Sequence, residues 1–140
     1  AEEKEILRRA GLASLPSLSP QASRQDVLEA RAALSDVYVD EKIQDYVLDL
    51  VTASRKPKEY GLALDHLISF GASPRATLFL VRGAQGIALL DGRAYVVPED
   101  VQKIALDVLR HRIHVSYEAE AESLDGEAIA RKLLEQVRVP

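Results

Sequence analysis

The stretch "FGASPRATLFLVRGAQGIALL", residues 70–90, decides how this chain folds. From Pro74 onward it is apolar on nearly every side. Such a helix is enclosed by neighbours rather than laid on a surface, and the spacing predicts it over about residues 74–90. Ser73 suits the N-cap, where its hydroxyl would accept from a first-turn amide. Pro74 suits the first helical position, where a missing N–H costs nothing. A capping box would put Glu or Gln at the third position, and Ala76 stands there instead. Between them is Arg75, a cation at the end where the peptide dipoles are already positive, at a cost of about 0.3–1 kcal/mol. Free amides, a positive dipole end and a guanidinium with no acid nearby are the ingredients of a phosphate site. On the residues alone a second reading stands beside this one: the arginine reaches into solvent or pairs with a distant carboxylate.

Working outward, Gly83 and Gly86 each cost that helix about 1 kcal/mol relative to alanine. Close approach of another backbone is the expected compensation. Downstream, "DGRAYVVP" (91–98) turns the chain, and Pro98 opens a helix with Val101, Ile104, Ala105, Val108 and Leu109 on one face. "RIHVSY" (112–117) alternates with a period of two and predicts a short strand. Its expected partner is "YVV" at 95–97, so any sheet is tiny. A last helix, about 125–137, takes Asp125 or Ser123 as its cap and Ile129, Leu133 and Val137 as its stripe. Upstream, residues 62–70 read equally as loop or short helix. Before them Val39, Ile43, Tyr46, Val47, Leu50 and Val51 form a single helical stripe, ended at "RKPKEYG" by Pro57. Ser23 with Asp26 in capping-box position opens an earlier helix carrying Val27, Arg31, Leu34 and Val37. The chain begins with a short helix, "EEKEILRRAGL", closed by Gly11, and a Ser/Pro-rich linker follows at 13–23. The expected layout is a helix and linker over 1–20 and an all-α body, a small helical bundle, over 21–140.

Composition narrows the function. The 140 residues are 47% hydrophobic and only 5% aromatic, which favours a Leu/Val/Ile/Ala helical core. A chain of this length buries about 68–70% of its unfolded surface and needs no staples. Cysteine is absent, which removes disulfides, thiol nucleophiles and thiolate metal sites. No apolar run approaches the roughly 18 residues of a membrane span, and no signal segment opens the chain, so the reading is cytoplasmic with no membrane partner. A net charge of −4 with interspersed signs argues against nucleic acid. His111 and His114 are spaced to share a helix face as metal ligands, but read more simply as a helix-end pair that suits the C-terminal dipole. No metal site is expected. Glu118, Glu120 and Glu122 alternate with alanine and read as a solvated face. Tyr46 and Tyr60 read as packing residues.

"GASPRAT" followed by an apolar helix, then "DGRAYVVPEDV" and "VLRHRI…SYEAEAE", resembles the C-terminal lid of MoxR-type AAA+ ATPases. The resemblance extends upstream through "VYVDEKIQDYVLDLV" and downstream to the closing "VP", covering nearly everything from about residue 21. It implies the helical lid fold. In that family the arginine of the GASPR motif is the sensor-two residue, so the resemblance implies that Arg75 reaches the terminal phosphate of ATP, with Gly71, Ser73 and Pro74 forming the loop beside the nucleotide. It also implies Mg2+ with that ATP, both held by a large α/β subdomain of the same polypeptide. A ring homo-oligomer, read as a hexamer, chaperone-like remodelling and partners with von Willebrand A domains are further implications. Two positions depart from the family pattern: Val97 where threonine is usual, and glycines at 83 and 86 where alanines are usual. The phosphate-binding loop G-x-x-x-x-G-K-[ST] is missing, since no Gly-Lys pair occurs in the chain. The apolar run closed by an acidic pair that would hold magnesium is missing as well. The expectation is a lid that holds no cofactor and hydrolyses no ATP by itself, with "EEKEIL" as the hand-over from the large subdomain. A stand-alone helical protein-interaction module derived from the lid fold is the alternative.

Overall fold

The computed structural model describes residues 2–10 and 19–140. Its contacts separate Ala1–Ala30 from Arg31–Pro140. The first unit holds α1 (Glu2–Ala10), along which Glu5 pairs with Arg8 and Arg9 at 2.7 and 2.8 Å. It also holds the start of α2 (Arg24–Ala33). The expected capping box forms there: the Ser23 N–H donates to Asp26 Oδ2 at 2.6 Å, and the Asp26 N–H donates to Ser23 Oγ at 3.2 Å. The Gly11 cap and most of the Ser/Pro-rich stretch lie outside the described residues. The stripe expected at Val27, Arg31, Leu34 and Val37 is not one face of one helix. α2 stops at Ala33 with none of its residues buried, a 3-10 turn takes 34–36, and only Val37 of the four is buried.

The second unit starts from an extended segment at 37–39. Tyr38 bridges to Tyr95 there: its N–H donates to the Ala94 carbonyl at 2.9 Å, and its carbonyl accepts from Val96 at 3.0 Å. Asp40 then caps α3 (Glu41–Arg55) by accepting from the Lys42 N–H at 2.9 Å. The predicted stripe of α3 is buried from Ile43 to Val51, and Tyr46 lies within it. Tyr60, half-buried, donates to Asp49 at 2.8 Å. The segment that read equally as loop or helix contains a 3-10 turn at 65–67 and strand β1 (Ile68–Phe70). β1 pairs antiparallel with β2 (His114–Val115), Ile68 opposite Val115 and Phe70 opposite His114. The expected pairing with 95–97 is therefore wrong. Tyr38 already occupies that segment, and Ser116 is drawn to the 66–67 carbonyls instead, its N–H donating to Leu67 and its hydroxyl to His66.

α4 (Arg75–Leu90) and α5 (Pro98–Leu109) form the most extensive helix pair. Ala76, Leu80, Ala84 and Ala88, four residues apart, make a fully buried ridge on α4. Gly83 lies against a side chain rather than a backbone: a Cβ there would come within 2.6 Å of Ile104 Cγ1. Gly86 has only Leu34 Cδ2, at 4.0 Å, so neither glycine shows the backbone approach expected from the sequence. Half a capping box opens α5. The Asp100 carboxylate accepts from the Val97 N–H at 2.9 Å, and valine has no side-chain acceptor to return. Asp100 is wholly buried and takes two further bonds from Arg93, at 2.8 and 2.6 Å. Burial pushes its carboxyl up, but the Arg93 guanidinium and the Val97 N–H outweigh burial and hold it below the usual carboxylate range.

Beyond β2, Ser116 caps a short helix, α6 (Tyr117–Ala121), that the sequence pattern did not predict. Glu118, Glu120 and Glu122 are exposed, as expected. α7 (Gly126–Gln136) is capped by Asp125 and buries Ile129, Ala130 and Leu133. The second unit is a small helical bundle with one two-stranded pairing among the described residues.

Candidate functional site: the loop that opens α4

The four predicted site residues lie together between β1 and the first turn of α4. Gly71 packs backbone to backbone against the last turn of α3, where a Cβ would sit 2.2 Å from the Ser54 carbonyl oxygen and 2.7 Å from the Arg55 nitrogen. No other residue type fits that approach. Ala72 is buried, and its N–H donates to the Ser54 hydroxyl at 3.0 Å. Ser73, Pro74 and Arg75 are exposed.

The start of α4 differs from the expected cap. Ser73 makes no side-chain cap, and Pro74 precedes the first helical residue. The first turn closes by tight main-chain bonds instead: Ala76 N–H to the Ser73 carbonyl at 2.8 Å and Thr77 N–H to the Pro74 carbonyl at 3.2 Å. Fewer amides are thus left free than the sequence suggested. The charge pattern is as expected. No acid lies in the first turn, and among the described residues Arg75 has neither an ion pair nor a hydrogen bond. Among the described residues no carboxylate holds the guanidinium, which leaves it exposed to solvent.

One turn on from Arg75 the exposed surface of α4 is apolar, with an arginine beside it. Phe79, one turn along α4, carries the Arg112 guanidinium 4.9 Å above its ring, a cation–π contact. Leu78 and Phe79 are exposed. A groove of about 630 Å³ opens between α3 and α4, lined by Val37, Val39, Leu48, Leu78, Val81 and Arg82 among others. His111 and His114 do not share a helix face: α5 ends at Leu109, His111 follows in a turn, and His114 lies in β2 edge-on to Phe70 at 6.4 Å. Among the described residues no group of three or more His, Cys, Asp or Glu is placed to hold a metal.

Sequence reasoning missed Ser54. Its signal was present: Leu50, Val51 and Ser54 continue one apolar stripe, and a serine on such a face needs a partner close by. The family of AAA lid domains matches residues 62–133, from the end of α3's following turn to α7. The chain belongs to that family. Its relatives place it in the MoxR branch, as the lid of a MoxR-family AAA+ ATPase. It is 36% identical over 140 residues to a protein named chaperone MoxR1 of Mycobacterium tuberculosis, covering 99% of this chain and 37% of that protein. It is 39% identical over 102 residues to protein MoxR of Paracoccus denitrificans, covering 68% of this chain and 30% of that protein. A solved structure of a proposed ATPase from Cytophaga hutchinsonii superposes on 99% of the lid and 42% of its own chain, with a TM-score of 0.91 at 38% identity. The lid thus spans well under half the length of the proteins it matches. Among its described residues no helix is long and apolar enough to cross a membrane.

Proposed function

We propose that this lid closes over ATP bound in a large subdomain of the same polypeptide and supplies Arg75 as the sensor-two residue. The observation that carries the reading is the exposed guanidinium at the first residue of α4, without an acidic partner among the described residues. The donor set fits one side of a phosphate: a guanidinium offers paired N–H donors matched to phosphate oxygens, and the positive helix end favours the anion. It offers no ligand for Mg2+, so the rest of the site belongs to the large subdomain. Bound ATP supplies the transferable phosphoryl group. Arg75 stabilises the charge that builds on its oxygens in a cleft from which water is excluded.

The exposed apolar groove between α3 and α4 is the face that the large subdomain covers. Rotation of the lid as that contact tightens and loosens would couple hydrolysis to movement. A ring of subunits, six in number, acting as a cytoplasmic chaperone-like remodeller with partners bearing von Willebrand A domains, completes the proposal. One relative is named a chaperone, which supports that part. In the full-length polypeptide, Arg75→Ala should slow turnover at saturating ATP by at least about 10-fold, a loss of more than about 1.4 kcal/mol of transition-state stabilisation. Unchanged turnover removes Arg75 from the mechanism.

A further inference from the structure

The place of Arg75 is set from behind, by a different helix. Ser54 is wholly buried in the last turn of α3, and its hydroxyl both donates and accepts. It donates to the Val51 carbonyl at 2.7 Å and accepts from the Ala72 N–H at 3.0 Å. Beside that bond, Gly71 presses on the Ser54 carbonyl with no room for a side chain. Ala72 and Ala76 are wholly buried, and the Ala76 N–H closes on the Ser73 carbonyl at 2.8 Å. Arg75 thus sits between two buried alanines, in a tight turn only three residues from Ala72.

The usual devices for fixing a helix entry are a capping hydroxyl and a first-turn carboxylate, and α4 has neither. A first-turn carboxylate would compete with an arriving anion for the guanidinium and for the positive helix end. Anchoring the loop on its inner side avoids that competition. We infer that Ser54 is a positioning residue for Arg75, and that its hydroxyl and the glycine contact at Gly71 together form a latch between α3 and the loop. The inference rests on the role proposed for Arg75.

The test uses the full-length polypeptide with Ser54→Ala, alone and combined with Arg75→Ala. Amide exchange without nucleotide is followed alongside turnover. Ser54→Ala is expected to speed exchange at Ala72 by at least about 10-fold while core amides of α5 and α7 keep their protection. Turnover at saturating ATP should fall at least about five-fold with KM changed less than about two-fold, because misplacement by a fraction of an ångström weakens transition-state contact. In the Arg75→Ala background, Ser54→Ala should change turnover less than about two-fold while the rise in exchange persists. Equal losses of turnover in both backgrounds, or unchanged exchange at Ala72, overturn the latch. Unchanged turnover in Arg75→Ala alone overturns the role of Arg75, and the exchange result still reports separately on the contact. If Ser54→Ala does not fold, Ser54→Cys, a weaker acceptor of similar volume, takes its place in the same scheme.

Discussion

Arg75 and Arg93 both stand near a helix start, and they meet opposite fates. Arg93 is fastened to buried Asp100 by two bonds, at 2.8 and 2.6 Å. Arg75 has no such partner among the described residues. The difference was half legible in the sequence. The lack of any acid around Arg75 could be read directly, whereas the burial of Asp100 depends on how the 91–97 turn folds back onto α5. Truncation should separate the two residues. Asp100→Ala removes two bonds to Arg93, which keeps Asp91 at 3.1 Å and the Tyr95 carbonyl at 3.0 Å, and leaves the Val97 N–H without its acceptor. It should therefore cost about 1–3 kcal/mol by thermal or urea unfolding. Arg75→Ala should move the melting midpoint by less than about 2 °C, since a first-turn cation adds little. A large drop would make Arg75 structural. The Asp100 pair also carries a pH dependence. Its carboxyl is held below the usual range in the fold, so its stabilisation is complete above the unfolded value of about 3.9 and fades as pH falls through the lower folded value. Melting midpoints measured from pH 2 to 7 should show that acid-side loss in the native chain and a smaller one in Asp100→Asn.

Among the elements, α4 was the most legible, and its ends and glycines the least. Its length followed from a largely apolar run, and its first residue fell within one of the expected start. It is not enclosed as that run predicts, however: only the Ala76, Leu80, Ala84 and Ala88 face is buried, while Leu78, Phe79 and Leu90 are exposed. The Ser73 cap failed because the loop is already held by α3, a contact of high sequence separation that no local pattern announces. α6 and the β1–β2 pairing were missed for a related reason: each depends on Ser116 meeting the 66–67 carbonyls across fifty residues of chain. The two glycines of α4 now part company. Gly86 has open space around it, so Gly86→Ala should stabilise the chain by about 0.5–1 kcal/mol through helix propensity, raising the melting midpoint by roughly 4 °C. Gly83→Ala brings a methyl within 2.6 Å of Ile104 Cγ1, so the same gain is offset by strain and the net change should be zero or negative. Equal stabilisation by both substitutions would contradict the close contact at Gly83.

At the scale of the molecule, the bundle explains why a lid can present a charge without using it. The core is built from small and branched aliphatics of α3, α4, α5 and α7, leaving the loop ahead of α4 and the groove between α3 and α4 at the surface. The lid fold and the placement of Arg75 were both readable from sequence, because the motif and the charge imbalance are local. What covers the groove was not readable, because an exposed apolar face does not name its partner. The isolated chain should accordingly show no ATP turnover above buffer, and clear hydrolysis by a clean preparation would overturn the proposed division of labour. The most direct test is a structure of the full-length polypeptide with a non-hydrolysable ATP analogue. The Arg75 guanidinium should lie within about 2.7–2.9 Å of a terminal phosphate oxygen. A guanidinium bound to a protein carboxylate instead, with the phosphates out of its reach, would contradict it.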